Sequence, residues 1–430
     1  MDKSAETRTV YKLNDILGFN ELMDTNLHTL VQIAQPKSLK LNKITYKTNT
    51  NQEYKIIRYD KNVLTNDMVL HHGILRSIVV NSADNVVCFS PPKSVPIDLF
   101  HFYFNNETLL KDVQAEEFIE GTMINVFWDE TIGLTGAWEI STRNSVGGET
   151  TNKTTQISSR FRNMFKEALE HCHLELKDLE KQYCYSFVLR HPENIIVCPV
   201  PNMAIYLVEV FEIVNTEDGT VNVFPVNLET IKGAFKNTKV QFPEIYKGWN
   251  TIDDIRDKYA SMNTGFEVMG VVLRERTTNM RTKMRNPVYE YCKNLKGTDA
   301  KVQYQYLVLS KQRRIKGYLQ RFPEHIPLFF KFKKQLYDFT NQLMKNYADF
   351  YIHKTIKMDE IPKEYKSHLY AIHRHYVDVL KPAGEYVNKN EVIRYIYNLD
   401  SGKLLYALNK PMQERLKKME LPVFQKKCEL

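Results

Sequence analysis

Apolar and polar residues alternate in short stretches through the middle of the chain. A period of two is typical of β-strands that bury one face. It predicts strands over Tyr54–Tyr59, Gly73–Val80, Val86–Phe89, Thr122–Trp128, Trp138–Ser141, Ser186–Leu189, Ile205–Val214 and Gly270–Arg274. Because turns and one clear helix separate these strands, the pattern predicts an α+β domain of antiparallel sheets with helices.

Apolar residues recur at helical spacing between Phe161 and Leu179, and an amphipathic helix is also predicted near Leu13–Ile33. The helical period dominates after about residue 296, with a long helix over Phe329–Phe350 and further helices at 363–381 and 389–398. The chain is therefore predicted to comprise an N-terminal module (1–65), the α+β domain (66–295) and an all-helical C-terminal domain (296–430).

The composition is that of a globular protein, with 43% hydrophobic and 26% charged residues. The formal net charge of +8 is concentrated in one region of the chain. From Arg281 to Lys345 fifteen Lys or Arg residues stand against four acidic residues, and the rest of the chain is slightly acidic. Such a local excess favours a polyanionic partner.

The six cysteines are scattered and mostly lie in apolar runs, so reduced thiols and an intracellular, cytoplasmic location are expected. His171, Cys172, His173 and Cys184 lack the paired spacing of a zinc site, and no metal site is expected. The first residues are polar, and no stretch approaches the apolar length of a membrane span. Neither a secretory signal nor a membrane partner is expected.

Three segments between residues 72 and 128 carry a family resemblance. They read His72-Gly-Ile-Leu-Arg-Ser-Ile-Val-Val80, Val86-Val-Cys-Phe-Ser-Pro-Pro-Lys93 and Glu117-Phe-Ile-Glu-Gly-Thr122. In this order they resemble the ATP-dependent RNA ligases of the covalent nucleotidyltransferase superfamily, in which an Arg-Gly strand and a Pro-Lys loop precede the nucleophile motif Lys-x-Asp/Glu-Gly-Ser/Thr. The resemblance covers roughly residues 66 to 295 and implies an RNA ligase-like nucleotidyltransferase domain. The helical tail resembles the domain appended to phage-type tRNA-repair ligases.

Phe118 stands where the nucleophile motif has its lysine. The family's lysine amine attacks the α-phosphate to form a covalent phosphoramidate, which a phenyl ring cannot do. Two positions where the family has glutamate are also apolar, Val188 in a Phe-Glu strand and Met269 in a Glu-Gly-x-Val strand. All three residues are expected to pack as core residues and partly fill the ancestral pocket, so no catalytic residue is predicted.

The basic motif that contacts phosphates in the family is retained. Lys283-Met-Arg285 resembles its Lys-x-Lys closing strand, with arginine as the second basic residue. Lys93 resembles the lysine of the Pro-Lys loop, although His72 replaces the arginine of the Arg-Gly pair. The resemblance therefore implies that Lys93, Lys283 and Arg285 contact nucleotide phosphates.

Three further residues are predicted to contact the nucleotide or its phosphates. The resemblance implies this role for Glu120 of the nucleophile motif and for Arg143 in the loop Thr142–Gly148. Glu267 lies two residues before Met269, so by strand alternation it would share the face of Met269 and reach the pocket.

The basic run in the predicted helical domain supplies candidate nucleic-acid contacts, namely Lys311, Arg313, Arg314, Lys316 and Arg321. Cations there would bind phosphates, and nearby tyrosines would stack on bases. A solvated helix face is the alternative, since long basic side chains are common on such faces. The size of the local charge excess favours polyanion binding.

Three functions compete. The preferred one is a catalytically degenerate RNA ligase-like protein, a pseudoenzyme, that binds nucleic acid with RNA favoured and has no expected cofactor. The second is an active ligase, dependent on ATP and Mg²⁺, in which Lys93 or Lys283 replaces the missing lysine. The third is a structural subunit with protein partners in a viral or RNA-processing assembly. A resemblance to ligase-like proteins of large DNA viruses implies a viral source and a location in the virion or host cytoplasm.

Overall fold

The computed structural model describes residues 10–23, 41–47, 52–104, 110–147, 160–297 and 302–420, and for 41–47 and 411–420 it describes the backbone only. The chain divides into two compact units, Met1–Glu290 and Tyr291–Leu430. The described strands all lie in the first unit, whereas the described part of the second unit is helical. The three domains drawn from the sequence stay a prediction.

Antiparallel pairing organises the first unit. Its strands are β1 Tyr11–Lys12, β2 Leu41–Lys47, β3 Glu53–Tyr59, β4 Ile78–Val80, β5 Val86–Phe89, β6 Val113–Glu117, β7 Thr122–Asp129, β8 Ala137–Ser141, β9 Tyr183–Arg190, β10 Ala204–Asn215, β11 Val221–Pro225, β12 Ile245–Tyr246, β13 Gly270–Glu275 and β14 Arg281–Arg285. They form three sheets, in the orders β1-β11-β10-β9-β7-β8, β12-β6-β13-β14 and β2-β3-β4-β5. A mixed architecture with antiparallel sheets was predicted from the alternating pattern, and the structure confirms it.

Helices cover the apolar faces of these sheets. They are α1 Phe19–Met23, α2 Ile97–Tyr103, α3 Arg160–His171, α4 Leu228–Ile231 and α5 Ile252–Tyr259. The stripe of α3 that includes Phe165 and Ala168 packs on Phe187 and Leu189 of β9. Because an amphipathic helix and an alternating strand each bury one face, this contact closes the core of the six-stranded sheet.

Two helix predictions need correction. The helix predicted over Phe161–Leu179 ends at His171, because His173 adopts a left-handed φ of 56° and a separate 3₁₀ turn covers Leu176–Asp178. The helix predicted near Leu13–Ile33 is wrong in its described part. Leu13–Asp15 form a 3₁₀ turn and Gly18 has a φ of 86°, so only α1 is helical. Residues 24–33 lie outside the described residues.

The strand predicted over Gly73–Val80 is shorter in the structure. His72–Ile74 form a 3₁₀ turn, and β4 begins only at Ile78. The Gly73 carbonyl accepts a hydrogen bond from the backbone N–H of Lys93 (2.8 Å), so it is used to hold the Pro-Lys loop rather than a neighbouring strand. The other predicted strands are confirmed to within three residues at each end.

The second unit is built from helices whose apolar spacing matches the sequence pattern. They are α6 Pro287–Lys296, which begins in the first unit, α7 Val302–Lys311, α8 Ile315–Arg321, α9 Ile326–Tyr347, α10 Lys363–His375, α11 Lys389–Asn398 and α12 Ser401–Glu420. The long predicted helix is α9, which continues as a π-helical turn over Ala348–Ile352. In the core the rings of Tyr318 and Phe329 stack with centroids 5.0 Å apart. Across the described ranges no helix is long and apolar enough to cross a membrane.

Candidate functional site

One face of the sheet β12-β6-β13-β14 collects charged side chains. Alternate residues of a strand point to the same face. The register of β6, β13 and β14 therefore places one set of residues together, Glu116, Arg274, Arg281, Lys283 and Arg285. The opposite face carries Val271, Leu273 and Met284 and packs into an apolar core. The charged face is the setting of the candidate site.

Phe118 directly follows β6, where the chain leaves this sheet and enters β7 of the six-stranded sheet. Glu117 pairs with Val271 of β13, so the register brings Phe118 opposite Gly270. A Cβ on Gly270 would lie 2.1 Å from the carbonyl oxygen of Met284, and its φ is +136°. Only glycine fits this position, because the backbone of β14 and of Asn286 approaches it closely.

Two cationic groups of β14 lie over the Phe118 ring. The Lys283 Nζ is 4.4 Å from the ring centroid and the Arg285 Cζ is 5.9 Å from it. These distances are those of cation–π contacts. The structure therefore brings Phe118, which the motif resemblance aligns with the nucleophile, and the predicted phosphate contacts Lys283 and Arg285 into one cluster.

The cluster carries an excess of positive charge. Burial lowers the pKa of Lys283 well below its usual value, and Arg281, Arg76 and Arg285 lower it further. The pKa of Lys93 is lowered by burial and then by the same three arginines. Among the described residues the Lys283 amine makes no ion pair or hydrogen bond. Lys93 and Lys283 thus belong to one cationic site, which we name the Phe118 cluster and define as Arg76, Lys93, Phe118, Arg281, Lys283 and Arg285.

A buried carboxylate anchors one side of the Phe118 cluster. Glu209 of β10 accepts hydrogen bonds from the guanidinium groups of Arg274 and Arg281, the latter at 3.1 Å. Burial raises the pKa of Glu209, but Arg274 and Arg281 outweigh burial and lower it. Glu209 and Arg76 were not predicted from the sequence. The acidic Glu209 inside the apolar strand Ile205–Val214 could have indicated a buried ion pair, because a buried carboxylate needs a partner.

Glu120 has a different environment from that of the Phe118 cluster. Its buried carboxylate accepts hydrogen bonds from the backbone N–H groups of Val197 (3.0 Å) and Cys198 (3.1 Å). Burial, followed by the charge of Glu120, raises the pKa of the Cys198 thiol to about 12. Glu120 therefore fixes the Val197–Cys198 backbone beside the nucleophile motif, and its predicted contact with a nucleotide stays a prediction.

The two other apolar replacements pack beside this motif. Val188 is buried in β9 next to Met123 of β7. A Cβ on Gly121 would lie 2.6 Å from the Val188 Cγ1, so Val188 occupies the space over that glycine. The half-buried Met269 precedes β13, and its carbonyl accepts a hydrogen bond from the Asn286 backbone N–H at 3.1 Å.

In the part of the chain that the structure describes, no three His, Cys, Asp or Glu side chains are placed to hold a metal ion.

The strand-alternation prediction for Glu267 is wrong. Residues Gly265–Val268 form a turn, and β13 begins only at Gly270. The Asn286 side chain donates hydrogen bonds to the carbonyls of Gly265 (2.7 Å) and Val268 (2.8 Å), which holds this turn closed. Glu267 is exposed there, and the rule that places residues two apart on one face does not apply.

Arg143 lies against β3 in the structure. Its guanidinium carbon is 4.7 Å from the centroid of the Tyr59 ring. Burial lowers the pKa of Arg143, and the charged groups that act on it are Tyr59, Arg58 and Asp60. None of these belongs to the Phe118 cluster, so the structure does not bring Arg143 to Lys283. Gly148, at the end of its loop, lies outside the described residues.

The basic run of the second unit is divided between half-buried and exposed positions. The half-buried Lys311 donates a hydrogen bond to the Leu399 carbonyl, between α11 and α12. The guanidinium carbons of Arg314 and Arg321 lie 5.3 and 5.9 Å from the centroid of the Tyr291 ring. Arg313 and Lys316 are exposed. Four of the five predicted nucleic-acid contacts are therefore at or near the surface of this unit.

Comparison with known proteins gives weak matches. No family model matches the chain, and no curated protein matches it. Among solved structures, an archaeal ATP-dependent RNA ligase has a TM-score of 0.30 and 11% identity, covering 88% of this chain and 76% of its own. A Naegleria gruberi RNA ligase mutant with ATP and Mn has a TM-score of 0.28 and 12% identity, covering 42% of this chain and 51% of its own. Because both TM-scores are low, the case for a function rests on the motifs and on the Phe118 cluster.

Proposed function

We propose that this chain is a catalytically degenerate RNA ligase-like protein that binds nucleic acid, RNA in preference, through phosphate contacts at the Phe118 cluster. The observation that carries the proposal is the Phe118 ring beneath the Lys283 amine and the Arg285 guanidinium. A group that cannot attack phosphorus occupies the nucleophile position, and groups that bind phosphate surround it.

The charge balance of the site supports anion binding. Its cations, with Arg274 added, are Arg76, Lys93, Arg274, Arg281, Lys283 and Arg285. The carboxylates paired with them are Glu116, Glu209 and Glu290. Six cations and three carboxylates leave an excess of positive charge at a site that is partly shielded from water. A bound phosphate would favour the charged form of Lys283 and relieve the repulsion among its neighbours.

The loss of catalysis involves more than one residue. The motif resemblance implies glutamates at positions 188 and 269, but the residues there are valine and methionine. The Glu120 carboxylate accepts hydrogen bonds from the backbone N–H groups of Val197 and Cys198. Nucleotidyl transfer needs an attacking amine together with groups that neutralise and orient the triphosphate. No cofactor is assigned to the pseudoenzyme.

One observation favours a second candidate function, an active ligase with a relocated nucleophile. The lowered pKa of Lys283 increases the fraction of neutral amine, which is the form that attacks phosphorus. Lys93 shares this property to a smaller degree. Such an enzyme would use ATP and Mg²⁺ and would need new acids in place of Val188 and Met269. We rank it second because those acids are lacking at both positions.

The exposed cations of the second unit, Arg313 and Lys316, are proposed as further contacts to nucleic-acid phosphates. Phosphate contacts of this kind give affinity without reading base sequence. The preference for RNA is drawn from the motif resemblance. A place in a viral or RNA-processing assembly, in the virion or the host cytoplasm, is proposed on the same basis.

Substituting Lys283 by methionine tests phosphate binding. Methionine keeps the length of the side chain and removes a desolvated charge, so the fold should be retained. We expect the affinity for RNA at low salt to weaken by about tenfold. The slope of log affinity against log salt concentration should fall in magnitude by about one, the change expected when one phosphate contact is lost. Fluorescence anisotropy of a labelled single-stranded RNA across a salt series measures both.

The matched control is Lys166→Met, which removes an exposed lysine of α3 outside the Phe118 cluster. It should change RNA affinity by less than about twofold. Equal affinities for the two variants, or no binding of RNA by the parent protein at low salt, would remove the support for this function and leave a structural role as the better account.

A further inference from the structure

One face of α9 presents apolar side chains to solvent. Ile326, Phe330 and Tyr337 are 39%, 67% and 58% exposed. The opposite face of the helix includes Phe329 and Leu343, which are buried in the second unit. The helical core therefore accounts for one face of α9 and leaves the three exposed side chains in contact with water.

The exposed apolar residues follow the spacing of a coiled-coil seam. Ile326, Phe330, Lys333 and Tyr337 are separated by four, three and four residues. Such spacing aligns side chains in a stripe of about 16 Å along one side of a helix. The stripe is narrower than the face by which a helix packs on a protein core, and a single partner helix can cover it. We name this stripe the α9 seam and define it as Ile326, Phe330, Lys333 and Tyr337.

The α9 seam lies in a positively charged part of the surface. Lys333 belongs to the seam, Lys334 follows it, and both are exposed. The Lys389 amine of α11 lies 5.1 Å from the centroid of the Tyr337 ring, so a third lysine borders the seam. Asp338 is the single acidic residue of α9. A partner that fits the α9 seam therefore combines apolar side chains with negative charge.

The width and charge of the α9 seam favour one class of partner. A second copy of the chain would bring Lys333 and Lys334 against the same residues, and like charges repel across an interface. Nucleic acid would bind the lysines, but phosphates gain nothing from the aliphatic Ile326. A membrane surface binds a helix in proportion to the apolar area that it buries, which is small for a narrow stripe. An amphipathic helix with acidic residues beside its apolar stripe matches both features.

We propose that the α9 seam binds an acidic amphipathic helix of a protein partner. Apolar side chains of the partner pack on Ile326, Phe330 and Tyr337, and its carboxylates pair with the lysines beside them. Phe330 is the anchor, because it is the most exposed of the three apolar residues and a large ring buries the most area on binding. Binding at the α9 seam does not require the Phe118 cluster.

The test uses a fluorescently labelled synthetic peptide of about three heptads, with leucine at both seam positions of each heptad and glutamate at the flanking positions. Phe330→Ser removes the anchor from an exposed position, so the fold should be retained. Phe102→Ser is the matched control, since Phe102 is an exposed phenylalanine of α2. We expect the affinity for the peptide, measured by fluorescence anisotropy, to fall by about tenfold or more for Phe330→Ser and by less than about twofold for Phe102→Ser. Thermal unfolding followed by circular dichroism establishes that both variants are folded.

Charge reversal tests the electrostatic part of the contact. Lys333→Glu combined with Lys334→Glu should weaken binding of the glutamate peptide by about tenfold or more. The same double variant should gain affinity for a peptide that has lysine in place of glutamate. A peptide of unchanged composition whose leucines do not share one face should bind the parent protein about tenfold more weakly than the glutamate peptide.

Several results would overturn this assignment. They are no binding of the glutamate peptide by the parent protein, equal binding of the rearranged peptide, equal affinities of Phe330→Ser and Phe102→Ser, and parental affinity in the charge-reversed variant. Vesicles of phosphatidylcholine with phosphatidylserine and a single-stranded RNA are tested in parallel. If the peptide does not bind and Phe330→Ser abolishes binding of the vesicles or of the RNA, the α9 seam is a membrane or nucleic-acid contact and the assignment to a protein partner is wrong.

Discussion

Replacing Glu209 by glutamine is expected to lower the free energy of unfolding by about 3–5 kcal/mol, the usual cost of removing one partner from a buried ion pair. Glu209 is 5% exposed and bonds both Arg274 and Arg281. Without its charge, Arg281 has no carboxylate partner among the described residues, and Arg274 keeps only Glu116. Urea unfolding at neutral pH measures the loss, and Glu217→Gln, at an exposed turn, is the control.

The pH dependence of the Glu209 variant gives a second readout. The paired arginines lower the pKa of Glu209 in the folded protein despite the opposing effect of burial. A carboxyl with a lowered pKa contributes stability above its unfolded pKa and loses it as the pH falls through the folded value. The stability difference between parent and Glu209→Gln should therefore shrink in acid. A difference that stays constant with pH, or a cost below about 1 kcal/mol, would contradict the buried ion pair.

Restoring the lysine alone, as Phe118→Lys, is expected to give no covalent nucleotide adduct. The new amine would lie beside Lys283 and Arg285, which can bind phosphate, but Val188 and Met269 would still lack the carboxylates expected at those positions. Labelling with ATP or GTP radiolabelled at the α-phosphate, followed by denaturing electrophoresis, measures the adduct. Phe118→Leu serves as a control for the loss of the aromatic ring.

Stoichiometric labelling of Phe118→Lys would contradict this expectation. It would show that the missing lysine alone prevents adduct formation. It would also show that glutamates at positions 188 and 269 are not needed. Addition of Val188→Glu and Met269→Glu to Phe118→Lys asks the converse question, whether the three positions act as one unit. Thermal unfolding of each variant establishes that the absence of label reflects chemistry and not a lost fold.

Two of the strands at or near the site were predictable from local patterns. Val86–Phe89 and Gly270–Arg274 are short apolar runs bounded by turn residues, and both are strands in the structure. The strand β6 was not predicted, because its last two residues, Glu116 and Glu117, are acidic. Glu116 is accommodated by pairing with Arg274 of the neighbouring strand, a contact 158 residues apart in sequence. Local periodicity carries no information about such a partner.

The composition of the Phe118 cluster was only partly predictable. Lys283, Arg285 and Lys93 were identified from motif resemblance, and the structure places them in one electrostatic environment. Lys283 and Arg285 of β14 lie over the Phe118 ring, which follows β6, although β13 separates β6 from β14 in the sheet. The strand alternation used to place Glu267 was wrong, because the residue lies in a turn that the Asn286 side chain closes. These features arise from tertiary contacts that a single sequence does not show.

The protein is proposed to bind phosphates at the Phe118 cluster without forming a covalent bond to a nucleotide. The most direct measurement incubates the parent protein with α-radiolabelled ATP or GTP and Mg²⁺, then separates it by denaturing electrophoresis beside an active RNA ligase. We predict no protein-linked label above background. A stoichiometric, acid-labile label that peptide mapping places on Lys283 or Lys93 would contradict the claim and identify an active enzyme with a relocated lysine.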